Sequence, residues 1–141
     1  MNRTLAIVKP DAVGSGKAGK ILAHLEDAGF RIEALKMMRL SETQAREFYE
    51  VHKDRPFYDS LVAFMTSGPS MPVVLGAEKA VPKLRQAIGA TDPAEAAPGT
   101  VRALYAENKE RNGIHASDSD ENAAREIGFF FSEQERLGLS G

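Results

Sequence analysis

The residues with the clearest chemical potential lie in one run, Asn112-Gly113-Ile114-His115-Ala116-Ser117-Asp118-Ser119, followed by Asp120-Glu121-Asn122-Ala123-Ala124-Arg125-Glu126-Ile127 and by Phe129-Phe130-Phe131. An imidazole held beside a carboxylate and a hydroxyl, here those of Glu126 and Ser117, is kept neutral in one tautomer, and its free nitrogen becomes a nucleophile. Ser119 is placed as a helix N-cap, and Asp120 and Glu121 suit the positive end of the helix dipole. A helix therefore begins just after His115, which sits on a short, fixed loop. Ala123, Ala124 and Ile127 at helical spacing pin one face, so that Glu126, at the helix end, can fold back toward the imidazole. A lone histidine in a loop rich in Gly and Ser is ordinarily a solvated turn residue, so the stretch alone leaves both readings open. A metal centre is the weaker alternative: only His24 and His52 could join His115, no cluster has ligand spacing, and the chain has no cysteine.

A second candidate comes early. Gly14, Gly19 and Lys20 match G-x-x-x-x-G-K between a strand and a helix, the pattern of a phosphate-binding P-loop. Ile21 follows where that loop needs Ser or Thr to hold Mg²⁺, and no later apolar strand ends in Asp to complete the metal site. Gly14 to Gly19 is therefore read as a flexible lead into a helix. Lys9, at the end of an apolar strand, is the better phosphate partner, because a charge at the mouth of a central strand suits an anion.

The elements that must position these residues can be read in order. Leu5-Ala6-Ile7-Val8 is a strand buried on both faces and stopped by Pro10. Ile21, Leu22, Leu25 and Ala28 form a helix capped by Gly29. Ile32 through Leu40 alternate loosely with charges, as in an edge strand. Ser41 and Gln44 make a capping box for a short helix reaching Tyr49, and Leu61, Val62 and Met65 mark another that Gly68-Pro69 stops. Val73 to Leu75 is a third strand, with Pro72 tolerable only at its start. A helix with Pro82 in its first turn runs to Ile88 and the Gly89 cap. Positions 89–111 show no periodicity, and a loop this long is functional or an interface element. Gly128 to Phe131 reads as the last strand, and Ser132 to Gly141 as a short terminal helix.

That order is ferredoxin-like, β-α-β-β-α-β, an α+β sandwich whose four-stranded antiparallel sheet carries helices on one face, with an inserted helical hairpin and a long loop. A chain of 141 residues fits a single domain spanning 1–141. Hydrophobic residues are 43% and charged residues 27%, the balance of a globular protein. A net charge of −2 without a basic block lacks the footprint of nucleic-acid binding, and the apolar run Leu5 to Val8 is too short for a membrane span. The expected compartment is the cytoplasm.

The run Asn112 to Ser119 resembles the active-site signature of nucleoside diphosphate kinases. Val8-Lys9-Pro10-Asp11, Asp54-Arg55-Pro56-Phe57, Phe64 to Pro69 and Gly89-Ala90-Thr91-Asp92-Pro93 extend the resemblance in register over nearly the whole chain. It implies two-step transfer of a γ-phosphoryl group from a nucleoside triphosphate to a nucleoside diphosphate through a phosphohistidine on His115, with Glu126 orienting the ring and Ser117 supporting Glu126. It also implies that Lys9, Arg55, Arg85, Thr91 and Arg102 surround the phosphates, that Lys9 and Asn112 hold the ribose with Tyr49 against the site, and that Phe57 and Leu61 form the lips of the base cleft. Mg²⁺ would ride on the nucleotide phosphates, with no protein ligand of its own. A homo-oligomer, tetramer or hexamer built from dimers, is expected, as is modest discrimination among bases and sugars. Ala116, Gly76 and Leu104 depart from the family pattern, which commonly has a glycine and two acidic residues there.

Overall fold

A computed structural model of the protein describes residues 2–136. Its elements are β1 (Arg3–Val8), α1 (Pro10–Gly14), α2 (Ala18–Asp27), β2 (Arg31–Leu35), α3 (Glu42–Phe48), α4 (Tyr58–Met65), β3 (Met71–Gly76), α5 (Ala80–Ile88), α6 (Val101–Tyr105), β4 (Ile114–Ala116), α7 (Asp120–Phe130) and α8 (Glu133–Arg136). The four strands form an antiparallel sheet in the order β2-β3-β1-β4. The expected topology is present.

Its fourth strand is not the expected one. Gly128 to Phe130 continue α7 as helix, and the edge strand is β4, whose His115 pairs with Ile7 of β1. A short apolar run fits either a strand or a buried helix, and here the Ser119 cap starts a helix whose Ala123, Ile127 and Phe130 stay buried on one side. His115 therefore sits on a strand and not on a loop, and Glu126 lies within the helix and not at its end. Two further helices, α1 and α6, occupy stretches expected to be irregular. β2 stops at Leu35, with only an isolated Met38–Ser70 bridge beyond it, so the strand is shorter than the Ile32 to Leu40 expectation. The terminal helix is present as α8, and the rest of the stretch to Gly141 lies outside the described residues.

Helices cover both faces of the sheet. Alternation along β1 sends Ala6 and Val8 toward Ile21 and Leu25 of α2 and Leu84 and Ile88 of α5. Leu5 and Ile7 face the other way, against Phe48 of α3, Val62 and Met65 of α4, and Ile127 of α7. The inserted hairpin and α7 are thus a second layer, and all four β1 residues from Leu5 to Val8 are fully buried. Leu5, Ile7 and Val8 contribute about 1.5–3 kcal/mol of burial each, and the smaller Ala6 less.

Gly76 lies in register with both Arg3 and Arg31. A Cβ there would collide with Oε2 of Glu33, which accepts from Arg31 at 3.0 Å while Oε1 accepts from Arg3 Nε at 2.6 Å. The buried carboxylate that the resemblance puts on β3 is thus supplied from β2, and the glycine makes room for it.

Candidate active site

β1 and β4 lie side by side, which brings their two chemically interesting residues to one end of the sheet. Lys9 leaves β1, donates its backbone N–H to Gly113 O at 2.9 Å and its Nζ to Asn112 Oδ1 at 2.8 Å. Asn112 Nδ2 in turn donates to Thr91 O at 3.2 Å. Gly113 has φ 84°, a left-handed conformation that glycine adopts without steric penalty and that turns the chain from Asn112 into β4.

On β4, His115 Nε2 stands 2.8 Å from Glu126 Oε1, and the same oxygen accepts from Ser117 Oγ at 2.7 Å. A carboxylate only accepts, so the ring proton resides on Nε2 and the lone pair on Nδ1. Arg125 adds a guanidinium 3.6 Å from the other Glu126 oxygen. Burial pushes the Glu126 carboxyl up, but hydrogen bonds from His115 and Ser117 and the charge of Arg125 outweigh it and hold the group below the ordinary carboxylate value. Phe48 and Tyr49 pack edge-on to the imidazole, with centroids 5.5 and 6.3 Å away. The Tyr49 hydroxyl is buried with no hydrogen-bond partner among the described residues, and burial together with the charge of Glu126 pushes its pKa up.

Three cations converge on the same space. Arg102 of α6 bridges Gly89 O at 3.1 Å and Ile114 O at 2.7 Å, leaving its Nε without a partner among the described residues. Arg85 of α5 donates to Ala116 O at 3.3 Å. Burial and then Arg85 lower the Arg102 pKa to about 10. Burial and then Arg102 lower that of Lys9 to about 8, against the opposite pull of Asp11 and Glu110. Lys9 and Arg102 are buried beside the exposed Arg85, and cations gathered and partly stripped of water in this way are poised for a polyanion.

These residues line a cleft of about 720 Å³ that extends to Phe57 and Leu61. Phe57 is 47% exposed and stacks at a tilt on His52, with ring centroids 5.5 Å apart. The cleft brings together His115, Glu126, Lys9, Tyr49, Phe57, Leu61, Arg85, Thr91, Arg102 and Asn112. Ser117 lies behind them, fully buried. Arg55 is the exception, being exposed on the turn into α4 and absent from the lining. Lys20 is exposed in the first turn of α2, and the P-loop-like run is two helices and a turn, with Lys17 Nζ donating to Tyr105 O at 3.2 Å.

Sequence reasoning missed Asp118, Asn122 and Arg125, as well as Lys109 and Glu110, all of which line the cleft. Asn122 was within reach, because it lies four residues before Glu126 on the same helix face. Asn122 donates to Asp118 at 2.6 Å and, with help from Arg85 and His115, keeps that exposed carboxyl below its ordinary value. Lys109 and Glu110 carried no local signal. Leu104, one of the departures, is 54% exposed and outside the cleft.

Comparison with known proteins places this geometry. The family model described as nucleoside diphosphate kinase matches residues 2–136. The chain belongs to the nucleoside diphosphate kinase family. It is 58% identical to the nucleoside diphosphate kinase of Gluconacetobacter diazotrophicus over 135 residues, covering 96% of each chain. Identity to that of a Nitratiruptor species is 55% over 137 residues, covering 97% of this chain and all of the relative. Among solved structures, the Aquifex aeolicus nucleoside diphosphate kinase superposes with a TM-score of 0.94 at 50% identity, covering 96% of this chain and 99% of that one. The halophilic nucleoside diphosphate kinase of Halobacterium salinarum, solved in complex with CDP, gives 0.93 at 40% identity, covering this chain fully and 95% of that one. Membership makes this chain a nucleotide-binding phosphotransferase, with the α/β fold of its structural neighbours.

Proposed function

We propose that the chain moves the γ-phosphoryl group of a nucleoside triphosphate to a nucleoside diphosphate in two half-reactions, through a phosphohistidine on Nδ1 of His115. The observation that carries this reading is the bond from Nε2 to Glu126 Oε1, because it leaves Nδ1 as the nucleophilic nitrogen. In the first half-reaction the Nδ1–P bond forms as the bond from the γ-phosphorus to the bridging oxygen breaks, and the nucleoside diphosphate departs. The second reverses this onto another diphosphate. The Nε2 proton stays against Glu126, which stabilises the charge that the phosphorylated ring acquires. Ser117 holds the carboxylate in place.

Lys9, Arg85, Arg102 and Thr91 face the phosphates, where fixed donors lower the energy of the spreading negative charge. Lys9 and Asn112 hold the ribose through its 3′-hydroxyl, which ribose and deoxyribose share, and Tyr49 backs the site. Phe57 and Leu61 form the lips on which a base stacks, contacts worth about 1–3 kcal/mol that any base can make. Base and sugar discrimination is therefore modest. Arg55, exposed on the turn that leads into Phe57, is the remaining cation assigned to the phosphates.

Mg²⁺ fits this site as a passenger of the nucleotide. Among the described residues no group of three or more His, Cys, Asp or Glu side chains is arranged to hold a metal, and the basic lining addresses phosphate. When bound, the ion neutralises phosphate charge.

The chain is read as one domain over 1–141 that works as a homo-oligomer built from dimers, tetramer or hexamer. The support is edge strand β2, whose last residue Leu35 is 46% exposed, with Met37 just beyond it 53% exposed. No helix among the described residues is long and apolar enough to cross a membrane. The cytoplasm, where nucleotides and Mg²⁺ are abundant, is the proposed compartment. Incubation with ATP should add one phosphoryl group to the intact protein, located at His115 by fragmentation. Labelling that survives in His115→Ala would overturn the mechanism.

A further inference from the structure

The cleft has an anionic group on its rim that the proposed phosphoryl transfer does not use. Glu110, in the loop between α6 and β4, lines the same cleft as Phe57, Leu61 and Lys9. Its Oε2 accepts from Ser60 Oγ at 2.9 Å, and Ser60 precedes Leu61 on α4. Its backbone is held as well, since Asn108 Oδ1 accepts the N–H groups of Glu110 and Arg111 at 3.0 and 2.9 Å. The carboxylate is therefore an acceptor held by a hydrogen bond to α4, the helix that brings Leu61 to the cleft. Its charge also reaches Lys9, where it opposes the effect of burial.

The cleft is thus electrically polar from floor to rim, with Lys9 and Arg102 buried and Glu110 exposed. A nucleotide has the same polarity, with its phosphates drawn to the cations and the base edge remote from the sugar left at the rim. We infer that Glu110 is a specificity-determining residue whose carboxylate accepts from an exocyclic amino group on that remote edge, favouring adenine and cytosine over bases that present a carbonyl there. This rests on the nucleotide orientation given under the proposed function.

A carboxylate has acceptors and no donor, so it attracts an amino group and repels a carbonyl oxygen at the same position. Attraction to one class and repulsion of the other act together in specificity. Lys109 also lines the cleft, but no hydrogen bond or ion pair among the described residues holds its ammonium, so its donors are spread over many rotamers while the Glu110 acceptor is held by Ser60. Water competes at an exposed rim, which keeps the effect to about three- to tenfold, well below what a buried base-reading site achieves.

Calorimetric titration of the intact chain with ADP, IDP, CDP and UDP tests this, because each pair exchanges an amino group for a carbonyl at the remote edge. Tighter binding of ADP than IDP and of CDP than UDP, by about three- to tenfold, is expected. Both ratios should fall toward one in Glu110→Ala, with Ser60→Ala, which frees the carboxylate, in between. Because Glu110 also acts on Lys9, all four affinities shift together in the variant, and the ratios are the readout. Ratios that are the same in the wild type and in Glu110→Ala, or a wild type that binds IDP and UDP as well as their partners, would overturn the proposal. Binding needs no phosphoryl transfer, so an absence of phosphohistidine would count against the proposed function while the ratios still judge Glu110.

Discussion

Glu126 Oε1 lies 2.8 Å from His115 Nε2 and takes the Ser117 hydroxyl at 2.7 Å, so one oxygen holds both the ring and its support. The carboxylate orients the nucleophile and touches no ligand in the proposed mechanism. Glu126→Ala should slow phosphorylation of His115 by on the order of 100-fold while leaving nucleotide affinity nearly intact. Rapid-quench labelling and equilibrium binding separate the two, and a variant with weakened binding but normal phosphorylation rate would contradict the assignment.

Lys9 gives a pH signature. Burial, reinforced by Arg102, has lowered its pKa to about 8 from the ordinary 10.5. Between those values the unfolded chain binds the proton that the folded chain has released, so stability rises with pH through this window, and the penalty of burying the charge is present in full below about 8. Lys9→Met should therefore stabilise the nucleotide-free protein at pH 7 by roughly 1–3 kcal/mol, the lost Asn112 bond offsetting part of the gain, while nucleotide binding collapses. Denaturant unfolding at pH 7 and 10 checks the sign, which fails if the variant is less stable at the lower pH.

The same lysine should take up a proton when phosphate arrives. Calorimetry of ADP binding near pH 8.5 in buffers of different ionisation enthalpy should show net uptake, absent in Lys9→Met if any binding remains. Equal heats in all buffers would mean that the ammonium is already charged.

Arg102 holds two carbonyls, Gly89 O and Ile114 O, with one buried guanidinium. Arg102→Lys keeps the charge and loses the fork, and should destabilise the fold by about 1–3 kcal/mol, because at least one of the two carbonyls is left without its partner. Urea midpoints of the two proteins provide the measurement, and equal midpoints would show that the bridge is dispensable.

Lys20→Ala should be close to neutral for activity, because Lys20 is exposed on α2 and outside the cleft. A loss comparable to that of Lys9→Ala would reinstate a phosphate loop at Gly14 to Lys20. Light scattering at micromolar concentration should likewise give the mass of an oligomer, and the mass of a single chain would refute the role given to the β2 edge.

What was legible in the sequence was whatever neighbouring residues decide among themselves. The Ser41–Gln44 capping box is present with both of its bonds, at 2.9 and 3.1 Å, and Ser119 Oγ caps α7 by accepting from Asn122 N–H at 3.1 Å. Buried β1 followed from an unbroken apolar run, and the grouping of His115, Ser117 and Glu126 from a short segment with a helix start inside it. The fourth strand was not legible, because Ile114 to Ala116 become a strand only by pairing with β1, more than a hundred residues earlier, while Gly128 to Phe130 carry the stronger local strand signal. The same holds for the choice of Nδ1 as the free nitrogen, for the bridge that Arg102 builds between Gly89 and Ile114, and for the presence of Glu110 opposite Ser60 in the cleft. Helix caps and apolar runs are set by interactions within a few residues along the chain. Strand partners, buried charges and the two walls of a cleft are set by which distant segments share a sheet, and that is settled only when the core closes.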